Sequence, residues 1–247
     1  PGVGKTFAAT RLAYSMMGEK DDSRIEFVQF HQNYSYEDFI MGYKPQDEGF
    51  KLTNGIFYQF CMNAAEHPDK DYFFIIDEIN RGNMSKIFGE LLMLIEKDYR
   101  GTTVTLAYSR TAFSVPKNLY IIGMMNTADR SLAMIDYALR RRFSFYEMEP
   151  GFNSEGFKAY QASLKNETFN TLIEQIIDLN REINIDDSLG PGFRIGHSYF
   201  CGQEECTEEW MKAVVYYDII PMLQEYWFDD RQKVKRWENL LIGVFND

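Results

Sequence analysis

The hexapeptide PGVGKT at residues 1–6 limits the folds open to this chain more than any other segment does. It reads as the tail of GxxxxGK followed by Ser or Thr, the loop whose backbone N–H groups wrap phosphates at the N-terminus of a helix. In that reading Lys5 reaches the outer phosphates and Thr6 supplies a hydroxyl that ligates Mg²⁺, while Gly2 and Gly4 let the backbone approach without a Cβ in the way. Pro1 and Val3 complete the wrap. The leading glycine of the motif is expected two positions ahead of Pro1, together with the strand that feeds the loop. GKT alone is a common tripeptide, so a second and independent element is needed.

That element is YFFIIDE at residues 72–78, an apolar strand that ends in two carboxylates. The arrangement suits Asp77 to the Mg²⁺ shell and Glu78 to polarising an attacking water. A buried strand that merely stops at a solvated turn is the alternative, and PGVGKT at this separation counts against it. A third apolar run, residues 119–125, delivers Asn126, whose amide can touch the terminal phosphate and orient water between it and Glu78.

Between these motifs, short apolar runs alternate with longer amphipathic stretches, which predicts an α/β unit with a mostly parallel sheet. Strands are expected at 26–30, 72–77, 119–125 and 143–147, and helices at 6–17, 55–66, 85–96 and 131–140. Residues 98–116 read as a hairpin or surface insertion. After Pro150 the pattern turns helical, with helices at 168–185 and 208–227, so the expected division is an α/β nucleotide-binding subdomain at 1–150 and a smaller helical subdomain at 151–247.

Composition narrows the rest. With 45% apolar residues in 247, the chain can bury one good-sized core and a smaller one. No apolar run approaches the roughly 20 residues of a membrane span, and no signal peptide is visible, so a cytoplasmic protein is expected. Three cysteines, Cys61, Cys201 and Cys206, are too few for a disulfide framework, and with His197 they lack metal-ligand spacing. The net charge of −11 is uneven: residues 151–247 carry 17 acids against 9 bases. An acidic surface opposes sequence-tolerant DNA binding, so any DNA contact must come from another segment. The aromatic group Tyr34, Tyr36, Phe39, Tyr43, Phe57, Tyr58 and Phe60 has no interleaved basic stripe and reads as packing rather than as a base-stacking platform.

PGVGKT, FIIDEINR, MNTADRS, YALRRRF and GFRIGHSYF, in this order and spanning residues 1 to about 200, resemble the McrB family of AAA+ P-loop NTPases. The resemblance implies a ring, expected to be a hexamer, that hydrolyses GTP with Mg²⁺. It also implies an McrC-like endonuclease partner, cleavage of DNA carrying modified cytosine, and a separate N-terminal domain that grips the DNA. Asn126 then stands at the sensor 1 position. Arg141 and Arg142 stand where such rings lend an arginine to the neighbouring subunit's phosphate, although basic residues at a helix end also complement its dipole. Asp129, Arg81 and Arg130 are further matched charges of the inter-subunit site. In GFRIGHSYF, Arg194 is the candidate second sensor, with a salt bridge as the alternative reading. His197 is a candidate nucleotide contact, with a packed core histidine as the alternative. Two rival functions remain: an ATP-using remodeller of the MoxR or dynein-related type, against which MNTADRS argues, and a nucleotide-bound scaffold that does not hydrolyse, against which Glu78 argues.

Overall fold

A computed structural model of the protein describes residues 1–47, 49–128 and 140–246. They fall into two units, one of Lys5–Tyr146 and one in which Pro1–Gly4 join Glu147–Asp247. In chain order the first unit runs α1 (Lys5–Met17), β1 (Ile25–Gln29), α2 (Tyr36–Phe39), β2 (Met41–Gln46), β3 (Gly49–Asn54), α3 (Ile56–Glu66) and β4 (Tyr72–Asp77). It continues through α4 (Met84–Phe88), β5 (Val104–Thr105), β6 (Ala112–Phe113) and β7 (Leu119–Gly123). Among the described residues the main sheet has the order β1-β4-β7, and both pairings are parallel.

The central place of β4 explains its composition. Tyr72 to Ile76 are all buried, because a strand covered on both faces needs a continuous apolar run rather than alternation. On one face Phe74 meets Phe57 edge-on at 5.0 Å, and Phe57 stacks on Phe39 at 4.7 Å. Each such aromatic pair is worth about 0.5–1.5 kcal/mol beyond the area it buries. On the other face Ile75 packs with Ala9 of α1 and with Met124 just after β7. The aromatic group therefore serves mainly as packing, with Phe39, Phe57 and Phe60 buried, whereas Tyr43 is 54% exposed on the β2–β3 hairpin.

Four expectations require correction or completion. Residues 143–147 form no strand; Phe145 and Tyr146 are exposed, so their apolar character does not come from a sheet interior. The helix expected at 85–96 stops as α4 at Phe88, because Gly89 turns to φ 50°, and a 3-10 stretch, Gly89–Ile95, follows. A residue at positive φ cannot continue a right-handed helix, and glycine makes the turn cheap. The antiparallel hairpin pairing Met41 with Asn54 was not anticipated, while the insertion at 98–116 does contain the β5–β6 hairpin. The helix expected at 131–140 lies outside the described residues except for Arg140.

In the second unit the elements are α5 (Glu155–Leu164), α6 (Glu167–Ile185), α7 (Glu208–Ala213), a π-helical turn (Val214–Ile219), α8 (Ile220–Tyr226) and α9 (Arg231–Gly243). Ser154, Asn166, Thr207 and Asp230 cap α5, α6, α7 and α9, each side chain accepting from a backbone N–H three residues on. α6 buries Phe169, Leu172, Ile173, Ile176, Leu179 and Ile183, the three-and-four spacing of one helical face. The single helix expected at 208–227 is divided by the π turn just before Pro221. Proline has no N–H for the ladder, which accounts for the change of register there. Lys233 of α9 reaches Asp186 at 2.6 Å and Glu182 at 3.5 Å, and the Trp227 indole N–H donates to Asp186 at 2.8 Å, tying the last helix to the end of α6. No helix among the described residues is long and apolar enough to cross a membrane.

Candidate nucleotide site

Local backbone chemistry sets the end of β4. Asp77 closes the strand, and the N–H of Glu78 donates to the Asp77 carboxylate at 3.0 Å. Glu78 then takes the left-handed conformation, φ 50° and ψ 43°, which costs a residue with a Cβ about 1–2 kcal/mol. That turn stops the strand and directs the side chain inward. Its Oε2 is buried and accepts no hydrogen bond among the described residues, with the Arg81 Nε 3.3 Å away as an ion-pair partner. Two residues on, the Oδ1 of Asn80 is likewise buried without a hydrogen-bond partner. Buried acceptors without a hydrogen bond are costly and rare, and after Asp77 the Asn80 Oδ1 has none while Glu78 Oε2 has only its ion pair with Arg81.

Beside β4, the chain leaving β7 is stitched to the same end of the sheet. Met124 N–H donates to Ile76 O at 2.8 Å, and Ile79 N–H donates to Met124 O at 3.0 Å. A Cβ on Gly123 would lie 2.6 Å from Ile79 Cδ1, so the Ile79 side chain would have to shift to admit one. Asn126 follows directly, half-buried, its Oδ1 accepting from Ala128 N–H at 3.3 Å. Ala9 packs on Ile75 and Met124, each two residues ahead of Asp77 and Asn126 respectively. Lys5 and Thr6 lie one helical turn before that contact, at the start of α1. Lys5 and Thr6 at the start of α1, Asp77 and Glu78 at the end of β4 and Asn126 after β7 therefore belong to neighbouring elements of one unit.

The arginines do not behave as a pair. Arg142 Nε donates to Leu92 O at 3.0 Å and its Nη2 pairs with Glu96 at 2.9 Å, leaving the side chain 18% exposed. Arg141, next to it, is exposed. Arg81 is spoken for by Glu78. Asp129 and Arg130 lie outside the described residues.

In the other unit, Gly2 and Gly4 adopt φ 69° and 75°, the left-handed turns that a phosphate-wrapping loop requires. Pro1 precedes Gly2, and Val3 lies between the two glycines. Arg194 is held by its own neighbours: Nη2 faces Glu147 at 3.4 Å, Nη1 faces Glu149 at 3.6 Å, and Nε donates to Pro191 O. That is the salt-bridge reading of this residue. His197 accepts the Gly151 N–H at 2.9 Å on Nδ1, against the rings of Phe152 and Phe157. Burial pushes its pKa down, which keeps the ring neutral and the accepting lone pair available. The structure therefore places His197 as a packed, hydrogen-bonded residue. Sequence reasoning passed over Asn80, although it lies inside FIIDEINR, and over Gly196 and Ser198, whose contacts no spacing announces.

Residues 1–143 match the family described as AAA domain (dynein-related subfamily). The chain belongs to that family. Residues 171–235 of this AAA protein match the McrB alpha-helical lid domain. It is 54% identical over 255 aligned positions to the type IV methyl-directed restriction enzyme EcoKMcrB subunit of Escherichia coli, an alignment covering 98% of this chain and 56% of that protein. It is 26% identical over 242 positions to the type II restriction enzyme BsuMI component YdiS of Bacillus subtilis, covering 78% of this chain and 70% of that one. The chain thus spans little more than half the length of the E. coli relative. The resemblance to the McrB family and the expected fold, a parallel sheet flanked by helices and followed by a helical lid, are both borne out.

Proposed function

We propose that this AAA domain hydrolyses GTP within a homo-oligomeric ring, a hexamer, and so drives an McrC-like endonuclease along DNA containing modified cytosine, which it cleaves. The DNA is gripped by a domain outside this chain, since the acidic lid cannot supply the basic field that phosphates require. The observation that carries the reading is the end of β4, where Asp77 is followed by a Glu78 carboxylate oxygen buried without a hydrogen bond. A water that donated to Glu78 Oε2 would supply the hydrogen bond that this oxygen lacks and be polarised for attack, and Asn126 stands on the neighbouring strand's extension to orient it. Lys5 and the glycine-rich segment meet the phosphates. The residues also fit Mg²⁺: Thr6 and Asp77 offer the hard oxygen donors it takes, and when bound it would neutralise phosphate charge. Arg141, exposed beyond β7, is the arginine lent to the neighbouring subunit.

GTP is preferred because the McrB resemblance extends from MNTADRS to the lid. A second reading, an ATP-using remodeller, is favoured by the dynein-related description of the matched family. One experiment separates them: hydrolysis of GTP and ATP in direct competition by the intact protein, with Glu78→Gln in parallel. GTP turnover that Glu78→Gln abolishes, with nucleotide binding intact, is the expected result. A preference for ATP moves the assignment to the remodeller, and normal turnover by Glu78→Gln overturns the catalytic assignment.

A further inference from the structure

The first residues of the chain are held by the lid segment that carries GFRIGHSYF. Gly196 N–H donates to Pro1 O at 2.8 Å, while Gly2 O accepts twice, from Ser198 N–H at 2.9 Å and from Ser198 Oγ at 2.6 Å. The two backbones touch directly. A Cβ on Gly196 would fall 1.9 Å from the carbonyl carbon of Gly2 and 2.4 Å from Val3 N, and a Cβ on Gly2 would fall 2.4 Å from the Tyr199 ring. At Gly196 the obstacle is backbone and leaves no room for a side chain, whereas at Gly2 it is the Tyr199 ring, added to the strain of a positive φ.

We propose that residues 196–198 of the lid position the phosphate-binding amides of Gly2 and Val3, making the lid a structural part of the phosphate loop. This rests on the reading of residues 1–6 as that loop. The warrant is peptide planarity. In a trans peptide the C=O and the following N–H point in opposite directions, and no peptide bond among the described residues is cis. Fixing Pro1 C=O and Gly2 C=O toward residues 196–198 therefore turns the N–H groups of Gly2 and Val3 to the opposite side. With Gly2 and Gly4 both at positive φ around Val3, these donors lie in the alternating backbone that forms an anion-binding concavity. A loop of two glycines has much conformational freedom to lose on binding, and three hydrogen bonds from the lid remove part of that cost in advance.

The test uses the intact protein with Mg²⁺ and two fluorescent probes, N-methylanthraniloyl-GDP and its ADP counterpart, scored on whichever binds more tightly. Ser198→Ala removes one of the three hydrogen bonds and is expected to weaken probe affinity about fivefold. Ser198→Thr keeps the hydroxyl and should restore it. Gly196→Ala collides with backbone rather than with a movable side chain, and should weaken affinity at least about tenfold. Because residues 196–198 act on the loop and not on water activation, Ser198→Ala should raise KM while leaving kcat within about twofold. Wild-type affinity in both Ser198→Ala and Gly196→Ala, with Lys5→Ala still defective, overturns the lid's role and leaves the phosphate-loop reading standing. Failure of the wild-type protein to bind either probe overturns both.

Discussion

Consecutive arginines that look equivalent in sequence should fail in different ways when removed. Arg142→Ala breaks a guanidinium hydrogen bond to the Leu92 carbonyl and an ion pair to Glu96 inside one unit. A charged hydrogen bond that is largely buried is worth about 1.5–3 kcal/mol. The ion pair, 18% and 33% exposed, adds no more than about 1 kcal/mol after solvent screening. Loss of stability should therefore be about 2 kcal/mol, which for a unit of this size lowers the melting temperature by roughly 5–10 °C. Arg141→Ala touches an exposed side chain and should leave the melting temperature within about 2 °C. Its defect should appear in turnover, and only in assemblies, because in the proposed ring the group it serves would belong to a neighbour. Differential scanning fluorimetry of both variants, without nucleotide, reads the first difference. Mixing Arg141→Ala with Glu78→Gln reads the second: at mixed interfaces one subunit brings an intact carboxylate and the other an intact arginine, so activity should return. Equal destabilisation by the two substitutions, or a mixture that stays inactive although mixed rings form, refutes this division of labour.

Lys5→Ala should weaken nucleotide binding, whereas Asn126→Ala should spare binding and lower turnover; a titration and a hydrolysis assay on the same preparations separate the two, and normal turnover in Asn126→Ala reduces it to a structural asparagine. Turnover per subunit should fall on dilution as rings dissociate, and a rate independent of concentration would count against a shared site. In the lid, burial alone would raise the Asp186 pKa, but the Lys233 ammonium, Ser188 and the Trp227 indole N–H together hold the carboxyl well below its usual range. A group depressed in the folded state contributes stability that is fully present above its unfolded pKa, about 3.9, and lost as pH falls through the lower folded value. Lid melting should then drop steeply below about pH 4. Lys233→Met should cost about 2 kcal/mol at neutral pH, since Asp186 is left 12% exposed without its cation, and should flatten that acid dependence. Parallel acid profiles in the two proteins would show that the pair is not the cause.

The strand that carries Asp77 was legible because its run of five apolar residues has no polar alternation to confuse it, and the central position that needs such a run is rare. Ala9, by contrast, is an undistinguished residue in the sequence, yet its small side chain lets α1 pack on Ile75 and Met124. Residues 143–147 misled for the opposite reason: Phe143, Phe145 and Tyr146 have strand composition, but the last two face solvent, and propensity cannot tell a covered aromatic from an uncovered one. Gly89 and Pro221 redirect two helices that hydrophobic periodicity would run straight through. In the proposed site, motif chemistry singled out the carboxylates and the glycine-rich segment. It could not assign partners to Arg142, Arg194 or His197, because those depend on Glu96, Glu147 and Gly151, which lie 46 or more residues away along the chain.

The left-handed backbone at Glu78 has a consequence for anyone who improves this protein by selection. Glycine at position 78 would relieve the steric penalty of φ 50° and would also remove a carboxylate oxygen buried without a hydrogen bond, at the cost of an ion pair with the exposed Arg81 worth no more than about 1 kcal/mol. A library screened for heat resistance would be drawn toward that substitution, and toward asparagine, which tolerates the same conformation. Under the role proposed for Glu78, the survivors would be sturdier proteins that no longer activate water. Thermal tolerance and turnover are thus set against each other at a single residue, and a search for hardier variants must score hydrolysis at every round or converge on inert ones.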